Sequence, residues 1–349
     1  MASLAIVIYF FGQLLRIRFL DFSFPLLDLV IFAFSLTNLY RHRHHKSANR
    51  PFLYFNCYLW LDFCLNLLYL PFDLRSFFYL LRLTALLCFF LFPPPISSKL
   101  KYLFSLVLIS NIIFGLIQYF LWPDLIPFSS LNWDPHTNRL VSTFLYPTFT
   151  GLIYLLFFIN IYLKKTKLQI TDYCLLAITY LAFSLTYSRS GQLAFISAFA
   201  FLSFKLKRPR FFWLSLLVTA VTLIILPRPP GESTNLLRTN SIRAKIANYQ
   251  TGLSLFFRRP LFGYAYNNLF LIRSDVHLQS HSISGFDGSL LTILVTTGII
   301  GFGLFILGLK HYFLHTSLIN QTLLISIFVH SFFSNSLLYP WVLLFLFFR

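Results

Sequence analysis

The sequence predicts an all-α, polytopic transmembrane helix bundle of about twelve spans, with one large extracytoplasmic loop that carries an amphipathic helix. Three observations lead there. Only 11% of the 349 residues are charged and 57% are hydrophobic, too few charges to cover the surface of a soluble domain. Apolar runs of about 20 residues recur from end to end, the length at which a helix crosses a ~30 Å hydrocarbon core. The loops between the runs are alternately rich and poor in Lys and Arg, as in a chain that passes back and forth through a membrane. A β-barrel would instead alternate apolar and polar residues over about 10 positions. No repeat period and no separate soluble domain are visible, so residues 1–349 read as one integral membrane domain.

The first apolar run covers 2–15 and a short turn, 16–25, leads to the second, 26–40. That run ends at Arg41, His42, Arg43, His44, His45 and Lys46, a basic cluster that marks the cytoplasmic side. Runs 52–70 and 77–92 flank an outer turn with Asp73 and Arg75, and Pro93, Pro94 and Pro95 with Lys99 and Lys101 return the chain inside. Run 102–122 exits into a second outer loop, 123–146, and run 147–163 comes back to Lys164, Lys165 and Lys167. Runs 170–186 and 191–204 meet at Tyr187, Ser188, Arg189 and Ser190, and the second ends at the basic segment 205–210. Run 211–226 delivers the chain to the large loop, 228–286. Runs 289–309, 318–333 and 337–348 finish the bundle, with Lys310 and Arg349 inside. Both termini are expected on the cytoplasmic side. The N-terminus lacks a basic start followed by a small-residue cleavage site, so its first run reads as a retained helix.

The large loop is the part that topology does not explain. It carries Arg228, Arg238, Arg243, Lys245, Arg258, Arg259 and Arg273 against Glu232 and Asp275, yet it faces outside, where a basic excess is not the rule. An anionic ligand is the simplest reason. Within it, Ile242, Ile246, Tyr249, Leu253, Phe256 and Phe257 recur at near-helical spacing, which predicts an amphipathic helix on the membrane surface or over the bundle, with Arg243 and Lys245 off the apolar face. Pro260 stops it. The net charge of +18 is read as loops facing anionic lipid and an anionic substrate, with no nucleic acid as partner, since nothing resembles a DNA- or RNA-binding module.

Few residues are equipped for chemistry. Cys57, Cys64, Cys88 and Cys174 lie within apolar runs, form no metal-ligand pair, and read as structural filler. The outer acids, among them Asp21, Asp73, Asp124, Asp134 and Asp287, do not pair at divalent-metal spacing, so charge on a diphosphate would be held by arginines without metal or other cofactor. Arg189, between two apolar runs, is costly there unless it snorkels from a helix end or faces a cavity. In a cavity, its planar fork suits phosphoryl oxygens. Arg243 is either a solvated helix residue or a second such ligand. An outer carboxylate or imidazole, Asp287 or His281, is suited to deprotonate an attacking hydroxyl, and His136 and His277 also lie outside. His330 reads as structural. Asp62 and Asn66, inside a run, read as a pairing between helices ahead of a lining for a lipid groove. Composition and spacing stop at a membrane protein with an outward basic site for an anionic, lipid-linked or phosphorylated ligand.

Four stretches resemble, in order, those of the O-antigen ligase and polymerase family. Residues 188–195, with Ser188, Arg189 and Gly191 opening a run, are similar to the family's Ser-Arg-Gly motif. Residues 241–249 followed by 259–268 resemble its Arg-bearing helix and Pro-x-x-Gly-x-Gly turn. Residues 287–301 resemble its His-Asn start leading to a Gly-Leu-Ile-Gly ending, and 139–147 is similar to a further family stretch. The resemblance covers about 139–309. It implies a bacterial inner-membrane glycosyltransferase, inverting and metal-independent, that moves a glycan from an undecaprenyl-diphosphate carrier to an acceptor hydroxyl on a glycan or glycolipid outside the membrane. Carried over by position, Arg189 and Arg243 would hold the diphosphate, with Ser188, Arg139, Arg258 and Arg259 as further substrate contacts. The chain departs from the pattern where the family histidine is replaced by Asp287, leaving the base to Asp287 or His281, and where the second turn glycine is replaced by Ala265. A polymerase of the same family, or a binder or transporter of lipid-linked oligosaccharide without catalysis, is the alternative. A transporter would more often show internal repeats and helices broken near the midplane, which the sequence does not display.

Overall fold

The computed structural model describes residues 1–19, 22–42, 49–131, 136–164, 167–227, 229, 234–236, 239–273 and 285–349. Among them are thirteen α-helices: α1 (Ala2–Phe11), α2 (Leu26–His42), α3 (Arg50–Asn66), α4 (Leu74–Leu91), α5 (Ser98–Leu121), α6 (Pro147–Lys164), α7 (Ile170–Ser184), α8 (Arg189–Leu206), α9 (Arg210–Ile225), α10 (Asn240–Arg258), α11 (Ser289–Leu314), α12 (Leu318–His330) and α13 (Pro340–Phe348). Each of the twelve apolar runs holds one helix, and α10 is the amphipathic helix of the large loop. Four helices, α4, α5, α6 and α11, are long and apolar enough to cross a membrane, and α1, α7, α9 and α12 are shorter apolar helices.

Helix ends follow local chemistry. Asp73 caps α4 by accepting from the Ser76 amide at 2.9 Å, and Ser188 caps α8 by accepting from the Gly191 amide at 3.1 Å, each satisfying an amide that the helix leaves without a partner. The stretch expected as a simple turn is a two-stranded antiparallel hairpin, β1 (Arg16–Phe19) and β2 (Phe22–Pro25), with Arg16 opposite Pro25. Arg16 closes it by donating to the Ser23 hydroxyl at 3.1 Å and the Ser23 carbonyl at 2.7 Å.

α6 lies at the centre, buried over most of its length, and packs on α7, α8, α12 and α13. Aromatic rings fill much of the core: Tyr9 meets Phe104 and Phe144 edge to face, and its hydroxyl donates to the Trp341 carbonyl at 2.8 Å, tying α1 to α13. Large apolar side chains stand outward on α5 and α9, such as Phe120 and Trp213, as expected where lipid is the solvent. The four cysteines are free; Cys88 is buried, and Cys57, Cys64 and Cys174 are exposed.

α11 is broken. At Gly298 the backbone turns to φ +62° and ψ −170°, between two helical halves. Residues 260–264 fill the break: the Pro260 carbonyl accepts from the Ile299 amide at 2.8 Å, and the Tyr264 amide donates to the Thr296 carbonyl at 3.0 Å. The Tyr58 hydroxyl of α3 donates to the Thr297 carbonyl at 2.7 Å. Polar backbone that would be costly in lipid is thereby satisfied by protein. A Cβ at Gly298 would run into the Leu261 carbonyl, so the two glycine-bearing motifs of the sequence are two sides of one contact. Helices without breaks were expected, and this one corrects that reading.

Candidate functional site

Two cavities open side by side where α8, α10 and the end of α12 converge. The larger, about 840 Å³, is lined by the apolar Leu193, Ile242, Ile246, Leu253, Val329 and Phe332 and by the polar Arg139, Arg189, Lys245, Ser188 and Ser190. The smaller, about 590 Å³, has aromatic walls that include Tyr79, Tyr146, Phe149, Tyr266 and Tyr339, and its polar groups include Arg82, His136, Asn267, Asp287 and Asn335. Arg139, Lys245, Thr148, Ser241, Phe333 and Ser334 line both, so the cavities meet at a cationic junction.

Arg189 is the first residue of α8, directly after its cap Ser188. Gly191 lets α7 and α8 approach at this corner, because a Cβ there would stand 2.8 Å from the Phe183 ring. The Arg189 guanidinium donates to the Ser241 hydroxyl at 2.6 Å and to the Leu236 carbonyl at 3.2 Å, so the start of α10 is tied to the start of α8. Arg139 is buried and donates to the carbonyls of Thr186 at 2.8 Å and Tyr187 at 3.4 Å, which fixes it beneath the same corner.

Lys245 comes from α10. Its ammonium donates to the Phe333 carbonyl at 2.5 Å and lies 3.5 Å from Asp287 Oδ2. One turn on, the Tyr249 hydroxyl donates to the Phe332 carbonyl at 2.5 Å; burial, and then the nearby Asp287 charge, push its phenol pKa up, so it stays a donor across neutral pH. Asp287 is positioned by its own amide, which donates to Asn248 Oδ1 at 3.0 Å. α10 is thus held against the bundle by Lys245, Tyr249 and Gly252, which share one helix face, with Gly252 closely packed on Leu291. In the smaller cavity Arg82 stacks on Tyr79, 4.4 Å from the ring centroid, and pairs with Asp28 at 3.3 Å.

The expected site residues divide. Arg189, Ser188, Arg139 and Asp287 are brought together. His281 lies outside the described residues. Arg243 is exposed on α10 and lines neither cavity, because it is one residue from Ile242 and points away from the stripe. Lys245 is three residues from Ile242 and four from Tyr249, so it falls within the stripe, and the expectation that it stood off the apolar face is corrected. Arg258 and Arg259, expected as substrate contacts, line neither cavity either. Arg259 reaches Asn66 Oδ1 at 3.5 Å and stacks over Tyr69 and Tyr264, joining α3 to the turn after α10. Asp62 and Asn66 pair with each other within α3, with Asn66 Nδ2 donating to Asp62 Oδ1 at 2.9 Å, and the expected pairing between helices is met at Asn66 by Arg259. His330 is buried, between the hydroxyls of Ser190 at 3.0 Å and Ser336 at 2.5 Å, so it supports the Arg189 corner. Ala265, in place of the second turn glycine, sits at φ +60°, a conformation that favours glycine. Among the described residues no three His, Cys, Asp or Glu side chains converge as metal ligands do.

The protein is mainly helical with four membrane-length helices, and it holds a cavity lined by both apolar and cationic side chains. Residues 174–306 match the family model described as O-antigen ligase. The match runs from α7 into α11 and includes Arg189, Lys245, the filled break at Gly298 and Asp287, while Arg139 lies ahead of it. No curated protein matches the chain.

Proposed function

We propose that the protein is a membrane glycosyltransferase that moves a glycan from a polyprenyl-diphosphate carrier to an acceptor hydroxyl, with the diphosphate at the junction of the two cavities. The observation that carries this reading is the junction itself: Arg139 and Lys245 line both the apolar groove and the aromatic, polar chamber, and Arg189 lines the groove beside them. The prenyl chain lies in the groove along Ile242, Ile246 and Leu253. The sugars and the acceptor lie in the chamber, whose aromatic faces stack on sugar rings.

In this reading the acceptor oxygen attacks the anomeric carbon from the side opposite the diphosphate. The new carbon–oxygen bond forms as the bond to the diphosphate breaks, the hydroxyl proton passes to the Asp287 carboxylate, and the electron pair leaves on the diphosphate. Inversion follows from the single displacement. Three fixed cations stabilise the negative charge that grows on the leaving group, so the step needs no metal. Lys245, paired with Asp287, also holds that carboxylate beside the junction. Arg243, exposed on α10, stays outside the transfer step. Twelve crossings, cytoplasmic termini and the 228–286 loop facing outside complete the reading, which puts the chamber on the outer face of a bacterial cytoplasmic membrane. A ligase that uses a glycolipid acceptor and a polymerase that uses a second lipid-linked glycan share this chemistry, and the ligase is the reading retained.

Native mass spectrometry of the detergent-solubilised protein with undecaprenyl diphosphate tests the assignment of the junction. The wild type retains the carrier, and a protein carrying both Arg189→Ala and Lys245→Ala loses it by at least about tenfold, since each charged contact is worth roughly 1.5 kcal/mol or more. Equal retention by that folded double variant would refute the assignment.

A further inference from the structure

α10 does not lie flat across the bundle. The Asp287 amide donates to Asn248 Oδ1, a Cβ at Gly288 would meet the Tyr249 hydroxyl, and Gly252 packs on Leu291. Each step along α10 is matched by an equal step along α11, so from Asn248 onward the two helices run side by side in the same direction. Leu255 and Val295 share one apolar cluster further along, and residues 260–264 then fill the break at Gly298. α3 runs beside α11 the other way, with Phe52 at Gly308 and Tyr58 at Gly301, which puts Arg50 level with Lys310. Both are exposed, and in the topology proposed above they mark the cytoplasmic boundary. From Lys310 up to Gly298 is roughly 18 Å at 1.5 Å per residue, and from Gly298 up to Ser289 about 13 Å more. Together these lengths match a ~30 Å hydrocarbon core, so Asp287 stands at the outer boundary and the break lies well inside the outer leaflet.

We propose that residues 248–264 form a re-entrant element, which enters the outer leaflet beside α11, turns at 260–264 and presents Phe257, Leu261 and Phe262 to the lipid acyl chains. The chain then climbs back to the outer end of α4, where the Ser76 hydroxyl donates to the Asn267 carbonyl at 3.0 Å. The tip is apolar on its outer side: Phe257 is 73% exposed, Leu261 56% and Phe262 48%, and Ile299 and Ile300 of α11 continue the patch. A turn in water has no reason to carry such a surface, and its continuity with a membrane-length helix makes hydrocarbon its partner. The backbone of the tip is satisfied by protein, as lipid requires. Besides the contacts at the break, the Ile300 amide donates to the Leu261 carbonyl at 3.4 Å and the Gly263 amide to the Arg259 carbonyl at 3.2 Å. The charges beside the tip point back toward the surface. Arg259 reaches Asn66 and Tyr69 at the outer end of α3, and the exposed Arg258 has a stem long enough to snorkel the same way. The lining of the larger cavity follows the same descent, with Lys245 near the boundary and Leu253 deeper, so a lipid chain held there lies parallel to those of the leaflet. The proposal rests on the chain spanning the membrane and not on glycosyl transfer.

The test measures depth. The full chain, with Cys57, Cys64 and Cys174 replaced by serine and the buried Cys88 kept, carries a nitroxide on Phe257→Cys, Leu261→Cys or Phe262→Cys and is reconstituted in phosphatidylcholine liposomes. The three positions are independent, so one that fails to fold leaves two. Arg243→Cys, exposed near the start of α10, is the aqueous reference. Ile113→Cys is the hydrocarbon reference, exposed on α5 roughly 18 Å above Lys101. Collision of the label with oxygen, which concentrates in hydrocarbon, is compared with collision with a water-soluble nickel chelate. Tip labels are expected to favour oxygen as the Ile113 label does, and the ratio is expected to reverse at Arg243. Tip labels that the chelate reaches as readily as it reaches position 243 overturn the proposal and place the turn in water. Labels that neither reagent reaches overturn it in favour of a protein cover. Chelate access at Ile113 as well overturns the membrane reading on which the proposal rests.

Discussion

Replacing Lys245 by methionine removes the ammonium and keeps a stem of similar length in the stripe of α10. In the resting protein the ammonium makes one hydrogen bond, to the Phe333 carbonyl, and one ion pair, to Asp287, with the two side chains 34% and 39% exposed. An ion pair that open to solvent is screened and contributes about 1 kcal/mol at most, so the loss to folding stability is roughly 1–2 kcal/mol with the hydrogen bond included. Transfer is expected to suffer more. A charged donor aimed at a leaving diphosphate is comparable to one oxyanion-hole donor, whose loss costs about 2.7–4 kcal/mol, or 10²–10³ in rate. Arg243→Met is the matched control, because Arg243 is exposed and lines neither cavity; its rate should stay within about twofold of wild type. Single-turnover release of polyprenyl diphosphate from a carrier-linked oligosaccharide, in detergent, separates the two variants. A folded Lys245→Met protein at wild-type rate, or a loss in Arg243→Met as large as in Lys245→Met, would show that α10 does not deliver Lys245 to the reaction.

Three further outcomes follow from the same geometry. Asp287→Asn keeps the shape of the chamber but removes its carboxylate, so turnover should fall by about 10²–10⁴ while carrier retention persists; transfer at the wild-type rate would move the base elsewhere. Leu253→Trp narrows the apolar groove and should raise KM for the full-length carrier several-fold with no effect on a short-chain prenyl analogue, whereas an equal effect on both would take the prenyl chain out of the groove. Gly298→Ala forces a side chain into a positive-φ break already filled by the Leu261 carbonyl, so it should destabilise the protein by about 1–3 kcal/mol, read as a lower melting temperature in detergent; an unchanged melting temperature would mean the break is not needed.

The helices were legible because hydrocarbon thickness sets a length that apolar runs must meet, and each of the twelve runs is occupied by a helix. The corner at Arg189 was legible because an arginine between two apolar runs is too costly to stand there without a cavity or a helix end to face. Lys245 is misplaced when the two cations of α10 are treated alike, although their spacing from Ile242 differs by the two residues that separate one helix face from the opposite one. The break at Gly298 was hidden because a glycine in an apolar run is ordinary, and only the contact with residues 260–264, nearly forty positions earlier, shows why the backbone turns there. The hairpin at Arg16 was missed for a similar reason: strands of four residues give too little alternation to distinguish from a turn. Arg259 resembled a ligand because charge in a loop is visible in sequence, whereas its partners Asn66 and Tyr69 come from a distant segment.

The most direct measurement is turnover by the purified protein in nanodiscs, supplied with an undecaprenyl-diphosphate oligosaccharide and a set of glycolipid and glycan acceptors, with EDTA present. Mass spectrometry would follow released undecaprenyl diphosphate and the extended acceptor together. Both products are expected to form in EDTA and to be lost in Arg189→Ala. Carrier that binds but stays intact across the whole acceptor set, or turnover that persists in a protein lacking both Arg189 and Lys245, would rule out glycosyl transfer at this junction.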